Sequence, residues 1–489
     1  MKKTILIILV LAVSIGAKSQ VTIGSNKKTL EGALLELNNG PAINSSTSTK
    51  GVGLPRVQLQ AIDKLQMSSN DSEISEKEEH VGLLVYHMRK TEDICDRMPS
   101  GTYIWDGERW VPLGFEIPER PKLELPVTQK TGLDQPNSYI VSQSSVVKIP
   151  IDKAIAVWDG VSWLGDEADA GVPQGYSTYP LLPQKNLNNL TAELLWTDNR
   201  CLILNQENLE IKNGYIEVWV DDRKGKGNAV VALKNNDEVV WSWHIWGTDQ
   251  PEINIHNGKR WLDRNIGASS ATPMDANSIG CHFQWGRKDP FVPPVYWNST
   301  VQKLSYNGKG GSVQVTGSSV TANPTANLTK SINHPLVFIT SSGNGYDWYS
   351  NTTQGRRWIN RWSANPDSKK SPSDPCPEGW RIPVGTGAPT YPWAHPNPPV
   401  SLVKTPEMVY QNGWVIPEFG YFPVAGSRSV TTGAFATNSP NNWGGYFWHA
   451  HVNNNSSYPA YVSGISPALM YDASATHKAY GFSVRCFEE

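Results

Sequence analysis

Brief alternating apolar runs, each cut off by glycine, proline, asparagine or aspartate, recur along most of this chain, and this punctuation does most to constrain its fold. A helix needs apolar residues spaced three and four apart over several turns, whereas a half-buried strand needs only a short alternation. Amphipathic helix patterns are confined to Leu30–Leu37 and Gln58–Met67, and both are short. Strand patterns are far more numerous: Tyr139–Val141, Val146–Ile151, Ala192–Trp196, Leu202–Leu204, Tyr215–Val220, Ala229–Leu233 and Val239–Ile245. Their spacing predicts a β-sandwich, with Gly225, Gly227 and Asn228 in one of its turns. The chain as a whole is expected to be mainly β or α+β.

Local signals refine this expectation. The run from Thr102 to Trp110 reads as a hairpin with Asp106-Gly107 as its turn pair. A two-residue turn there sets Tyr103 opposite Trp110, an aromatic cross-strand pair. The same Trp-Asp-Gly-x-x-Trp pattern at Trp158–Trp163 reads as a second use of that hairpin. The polar, acidic stretch Ser68–Glu79 is expected to be a mobile loop, and Pro118–Pro126 a stiff polyproline-type linker.

Lys2 and Lys3, the apolar run Ile5–Ile15 and small residues at Ala17 and Ser19 have the layout of a secretory signal cut after Ser19. That run is shorter than the ~20 residues of a membrane span, so no transmembrane segment is expected. No cysteine near the cut offers a lipid anchor. At 489 residues about three modules are expected. Shifts in composition set them out as a signal peptide (1–19), an N-terminal β-rich module (20–117), a Pro-rich linker (118–137), a β-sandwich (138–246) and a last domain (247–489). Fourteen of the 20 tryptophans lie from Trp241 onward, so the last domain has ample material for a core. Lys and Arg total 43 against 45 Asp and Glu, which argues against a surface that tracks nucleic-acid phosphates. An exported chain can form disulfides, and the five cysteines (Cys95, Cys201, Cys281, Cys376 and Cys486) leave at least one thiol unpaired within the chain.

Six strings in the last domain resemble one family. They are Trp261–Ala268, Phe283–Phe291, Asp374–Pro383, Gly420–Pro423 with Ala425–Arg428, Gly445–Trp448, and the terminal Gly481–Cys486. Together, in this order, they resemble the Fibrobacter succinogenes major paralogous domain, which is common on exported proteins of the Bacteroidetes and Fibrobacteres. The strings Gly227–Ala232 and Trp241–Trp246 are similar to those that often precede that domain. Gln20–Gly24 and Gly53–Arg56 are similar to N-terminal modules of Bacteroidetes surface proteins. The resemblance implies a C-type-lectin-like fold, related in layout to formylglycine-generating enzymes, and no established activity. It also implies a disulfide between Cys376 and Cys486, because the two ends of such a domain meet. Trp261, Trp285, Trp380 and Trp448 are expected in the core, with Asp263, Arg264, Arg287 and Asp289 as charge pairs buried beneath aromatic rings.

The sequence offers little for catalysis. GxSxG is absent, and SxxK occurs without the SDN and KTG spacing that a penicillin-binding site requires. His449-Ala450-His451 has a spacing that can ligate zinc, but with no third ligand apparent it reads as a pair of surface bystanders, and no metal or cofactor is expected. The calcium and sugar strings of true C-type lectins are absent from the last domain. Aromatic loops rich in Asn, Asp and Gly are what remains for ligand binding. One holds Tyr346, Asp347, Trp348 and Tyr349; the other, Gly385 to Pro399, holds Tyr391, Trp393 and His395 among five prolines. The prolines exclude the helix that the family places at the second loop. The expectation is therefore an exported, non-enzymatic surface protein that binds a glycan or a host protein. A structural or tip subunit of a fimbria-like assembly, with pilus-type partners, is the alternative, and a glycan- or wall-active enzyme a third reading.

Overall fold

Two neighbouring strands, Gly227–Asn235 and Glu238–Gly247, are buried along nearly their whole length, and their sequences show why. Asn228-Ala-Val-Val-Ala-Leu and Val239-Val-Trp-Ser-Trp-His-Ile-Trp do not alternate in polarity, as befits strands covered on both faces. In the computed structural model the residues described are 21–23, 35–37, 52–60, 62–68, 72–88, 95, 98–114, 119–159, 182–256, 258–297, 299–342, 347–349, 370–383, 409–410, 412–416, 419–435, 444–452, 460–465 and 470–489. The expected signal segment lies outside them. The fold is mainly β, and the chain divides into two compact units, Met1–Ile117 and Pro118–Glu489.

In the larger unit the two strands form a four-stranded sheet in the order Ser138–Val141, Glu238–Gly247, Gly227–Asn235, Leu190–Thr197. One face presents Ala229, Val231, Leu233, Trp243 and Ile245 to a core shared with Val147, Ile149, Ile216 and Val218 of a three-stranded sheet. That sheet runs in the order Glu210–Lys212, Tyr215–Val220, Ser145–Pro150, and the two together are the sandwich read from the sequence. The other face presents Val230 and Trp246 to a second core, with Trp261, Phe283, Trp285, Trp448 and the Cys376–Cys486 disulfide. Residues 138–246 and 247–489 are thus packed together within one unit across a sheet with two buried faces.

A helix at Pro324–Asn333 joins the parallel strands Thr316–Ser319 and Val337–Thr340. Asn323 caps it by accepting from the Ala326 N–H, and Pro324 occupies its first turn. The final strand, Phe487–Glu488, pairs with both Lys259–Leu262 and Trp380–Arg381, so the beginning and end of residues 259–488 meet in one sheet. A five-stranded sheet, His282–Gln284, Gly481–Ser483, Gly445–Val452, Ala460–Ile465 and Met470–Thr476, makes up much of the rest.

Several local expectations are corrected. Leu35–Leu37 is a strand paired with Val21–Ile23, and 58–67 contains no helix among its described residues. Leu59 and Leu65 of that segment are core residues of the smaller unit, and the Gln58 N–H donates to the Met67 carbonyl. The hairpin register also differs: Trp105 faces Trp110, and Tyr103 faces Pro112. The cause is a four-residue connection in which the Asp106 carboxylate accepts the Glu108 and Arg109 N–H groups, while Gly107 sits at φ +109°. Trp158 follows the short helix Asp152–Val157, and the rest of the expected second hairpin, from residue 160 to Trp163, lies outside the described residues. Leu202–Leu204 contributes only a single bridge, Ile203 to Val220. Within the acidic stretch, Ile74 packs on the core and its N–H donates to the Leu65 carbonyl. Of the expected linker, Leu123 and Leu125 exchange backbone hydrogen bonds with Val146, and Leu125 and Leu133 pack against the sandwich.

Candidate functional site

The described part of the first aromatic loop lies in the interior. Asp347, Trp348 and Tyr349 are 0%, 1% and 3% exposed, so they form no platform for a ligand. The Trp348 indole donates to the Trp285 carbonyl at 2.6 Å, the Tyr349 N–H to Asp347 Oδ1, and Asn327 Nδ2 to the Tyr349 carbonyl. Lys478, itself buried, has its ammonium 3.8 Å from Asp347 and 4.4 Å from the centre of the Trp285 ring. These rings complete the sandwich core beneath the helix Pro324–Asn333. Tyr346 and the second loop, with Tyr391, Trp393 and His395, lie outside the described residues.

The conspicuous charged side chains of the larger unit are also internal. Arg264 forms a two-pronged pair with Asp263 at 2.7 and 2.8 Å, the arrangement expected of a buried charge pair. Asp289 takes Lys288 as its partner at 2.5 Å, with Ser242 donating to the same carboxylate, while Lys288 lies 4.4 Å from the Trp241 ring centre. Arg287 instead donates to Gln284 and to the carbonyls of Val337 and Ser331, at the end of the helix Pro324–Asn333. Arg485 donates to Asn265 and to the carbonyls of Asp263 and Tyr421, above the Phe422 ring. Trp261, Trp285 and Trp448 are buried, and Trp380 is partly so.

His244 lies in the seam between the two halves of the unit. Asn228 Nδ2 already donates to Asp198 and Gly267, so its Oδ1 accepts from His244 Nε2 at 2.9 Å. Burial pushes the imidazole pKa down to about 3 and keeps the ring neutral. Cys281, the free cysteine, is buried, and burial pushes its thiol well above the ordinary range, which suppresses the thiolate that chemistry would need. Gly267, at φ +81°, lies so close that a Cβ there would come within 2.5 Å of the Cys281 sulfur. His449 is buried, not on the surface, because its strand lies inside the second core. Among the described residues no group of three or more His, Cys, Asp or Glu could hold a metal ion. Interior charge in this unit serves packing.

The smaller unit differs in that, among its described residues, one face of its sheet is apolar and only partly buried. Its four strands run in the order Arg56–Val57, Leu84–His87, Gly101–Trp105, Trp110–Pro112. Val85, Tyr103, Trp105 and Trp110 point inward on Leu59 and Leu65. The Trp105 and Trp110 indoles donate to the Lys77 and Lys64 carbonyls and so hold two loops onto this face. Side chains alternate across a strand, so the intervening residues point the other way. Leu84, Ile104 and Val111 form one cross-strand row; Tyr86 and Thr102 form the next, continued by Leu113, whose N–H donates to the Thr102 carbonyl. Met88 follows Tyr86 on the same side. Tyr86, Met88 and Leu113 are 41%, 37% and 47% exposed. The sequence signal was present but unread: Leu84-Val85-Tyr86 is apolar at both parities, as a strand covered on both faces would be.

Residues 22–129 match the family model described as a phage tail like trimerisation region. No curated protein and no solved structure matches the chain. The matched segment contains the whole four-stranded sheet of the smaller unit, both of its faces included, and continues into the first residues of the larger unit.

Proposed function

We propose that this chain is an exported structural subunit of a fibre-like or fimbria-like assembly, self-associating as trimers through its N-terminal unit. The observation that carries the reading is the match of residues 22–129 to a trimerisation region, placed over a unit whose described core is small. In this proposal the larger unit is the part the trimer presents, and the chain has no catalytic task. The resemblance of residues 247–489 to the Fibrobacter succinogenes major paralogous domain belongs to the same proposal. It is supported by the meeting of the two ends of that region in one sheet. Export is supported by the Cys376–Cys486 disulfide, since such bonds persist in oxidising compartments. No helix among the described residues is long and apolar enough to cross a membrane. Recognition of a glycan or host protein, where it occurs, falls to the loop bearing Tyr391, Trp393 and His395, because Asp347, Trp348 and Tyr349 are committed to the core.

Sedimentation velocity of the purified mature chain tests the proposal. The expected result is one species of three protomer masses; a monomer throughout the accessible concentration range overturns it.

A further inference from the structure

We propose that the outward face of the N-terminal sheet, built on Leu84, Tyr86, Met88, Ile104, Val111 and Leu113, is the surface through which three copies of this chain associate. The inference rests on the trimer reading above and adds where the contact lies.

Three observations carry it. The inward face of the sheet already has a closed core of Leu59, Leu65, Val85, Tyr103, Trp105 and Trp110, so the outward side chains are not needed to complete it. The outward residues are in register, with Leu84 opposite Ile104, Ile104 opposite Val111, and Tyr86 opposite Thr102, so they form one contiguous surface and not scattered apolar residues. Tyr86, Met88 and Leu113 are exposed and Leu84, Ile104 and Val111 half-buried; a contiguous apolar surface open to solvent marks an interaction site, whereas isolated exposed residues do not. The occupant is a second and a third copy, because every residue of the face falls inside the segment that matches a trimerisation region. Around a threefold axis the same face of each copy can turn inward, so a single patch serves all three protomers and the assembly closes. Arg56, opposite Tyr86 on the edge strand, is exposed and leaves a charged rim where the apolar rows end. Tyr86 is the natural anchor, a large ring with a polar tip on an otherwise aliphatic face.

The test uses the full mature chain and a double variant, Tyr86→Glu with Leu113→Glu, both at exposed positions. A control variant, Ile255→Glu with Leu304→Glu, alters exposed apolar residues of the larger unit. In sedimentation velocity the wild type and the control should be trimeric. The sheet variant should be a folded monomer, or a trimer whose dissociation midpoint has risen about tenfold or more, as loss of an interface anchor implies. A trimeric sheet variant with an unchanged midpoint overturns the face and leaves the trimer reading standing. A monomeric wild type overturns both. Hydroxyl-radical footprinting of the wild type above and below its dissociation midpoint gives a readout that does not depend on variant folding. Oxidation of Tyr86 and Met88 should fall on association; equal oxidation in the two states overturns the proposal, including when the sheet variant fails to fold.

Discussion

The four-stranded sheet at the centre of the larger unit and the four-stranded sheet of the smaller unit resemble each other in size but differ in what covers them. The sheet at the centre of the larger unit has the sandwich core against one face and the Trp285–Trp448 core against the other. The N-terminal sheet has a core on one face and an apolar surface on the other. A sheet covered on both sides carries its stability within the chain. A sheet covered on one side and apolar on both gains by associating, since hydrophobic burial contributes about 25 cal/mol per Å² of apolar surface removed from water. The difference teaches that the larger unit should unfold independently of protein concentration, and the smaller one should not.

The sharpest way to break this comparison is Trp348→Ala. If the ring is core, the larger unit loses about 3–5 kcal/mol, as large aromatic-to-alanine changes in cores do. Denaturant unfolding should then show a lowered midpoint that does not vary with protein concentration. An unchanged midpoint would return Trp348 to the surface. Removing the disulfide with Cys376→Ser and Cys486→Ser should come next. It releases a crosslink spanning 110 residues, and native disulfides are worth roughly 2–4 kcal/mol. Only the transition of the larger unit should move.

Acidification sharpens the comparison from another side. His244 and His282 are buried in the larger unit, and burial pushes each pKa down to about 3. An unfolded histidine titrates near 6.5, so between about pH 6.5 and 3 the unfolded chain binds more protons than the folded one. The stability of the larger unit should therefore be full above that window and fall steadily as pH drops through it. His244→Gln should flatten part of the slope measured by unfolding at stepped pH. The smallest effect is expected at Asp106→Ala. It removes the acceptor of the Glu108 and Arg109 N–H groups and should cost about 1 kcal/mol, confined to the N-terminal transition. A shift in the other transition would mean that the two units do not unfold separately.

Much of the fold was legible where residues report directly on their neighbours. Tyr215–Val220 alternates and is a half-buried strand; Ala229–Leu233 and Val239–Ile245 do not alternate and are central. Other signals were local but unread, among them the Asn323-Pro324 start of the helix that follows. The hairpin register failed for a subtler reason. Asp-Gly favours a two-residue turn, but the Asp106 side chain instead organises a longer loop, and Trp105 and Trp110 are thereby brought to 5.3 Å between ring centres. Asp347, Trp348 and Tyr349 of the first aromatic loop were misplaced because exposure is not a property of a residue type. Tyr-Asp-Trp-Tyr in a Gly- and Asn-rich stretch suits a ligand platform and a core plug equally well until the Trp285 carbonyl is found within reach of the Trp348 indole.

The sequence by itself determined the mainly β character, the central strands of the sandwich and the depth of Trp261, Trp285 and Trp448, because periodicity and side-chain size act over a few residues. Only the tertiary structure decided which charged groups pair and which face of each sheet is covered. Arg287 and Asp289, two residues apart, take entirely different partners: one caps a helix end through carbonyls, the other binds Lys288 beside Trp241. The reason is physical. A buried charge or an apolar face acquires its energy from what chain folding brings against it, and beside the adjacent Lys288 those partners lie dozens of residues away, Val337 for Arg287 and Ser242 for Asp289.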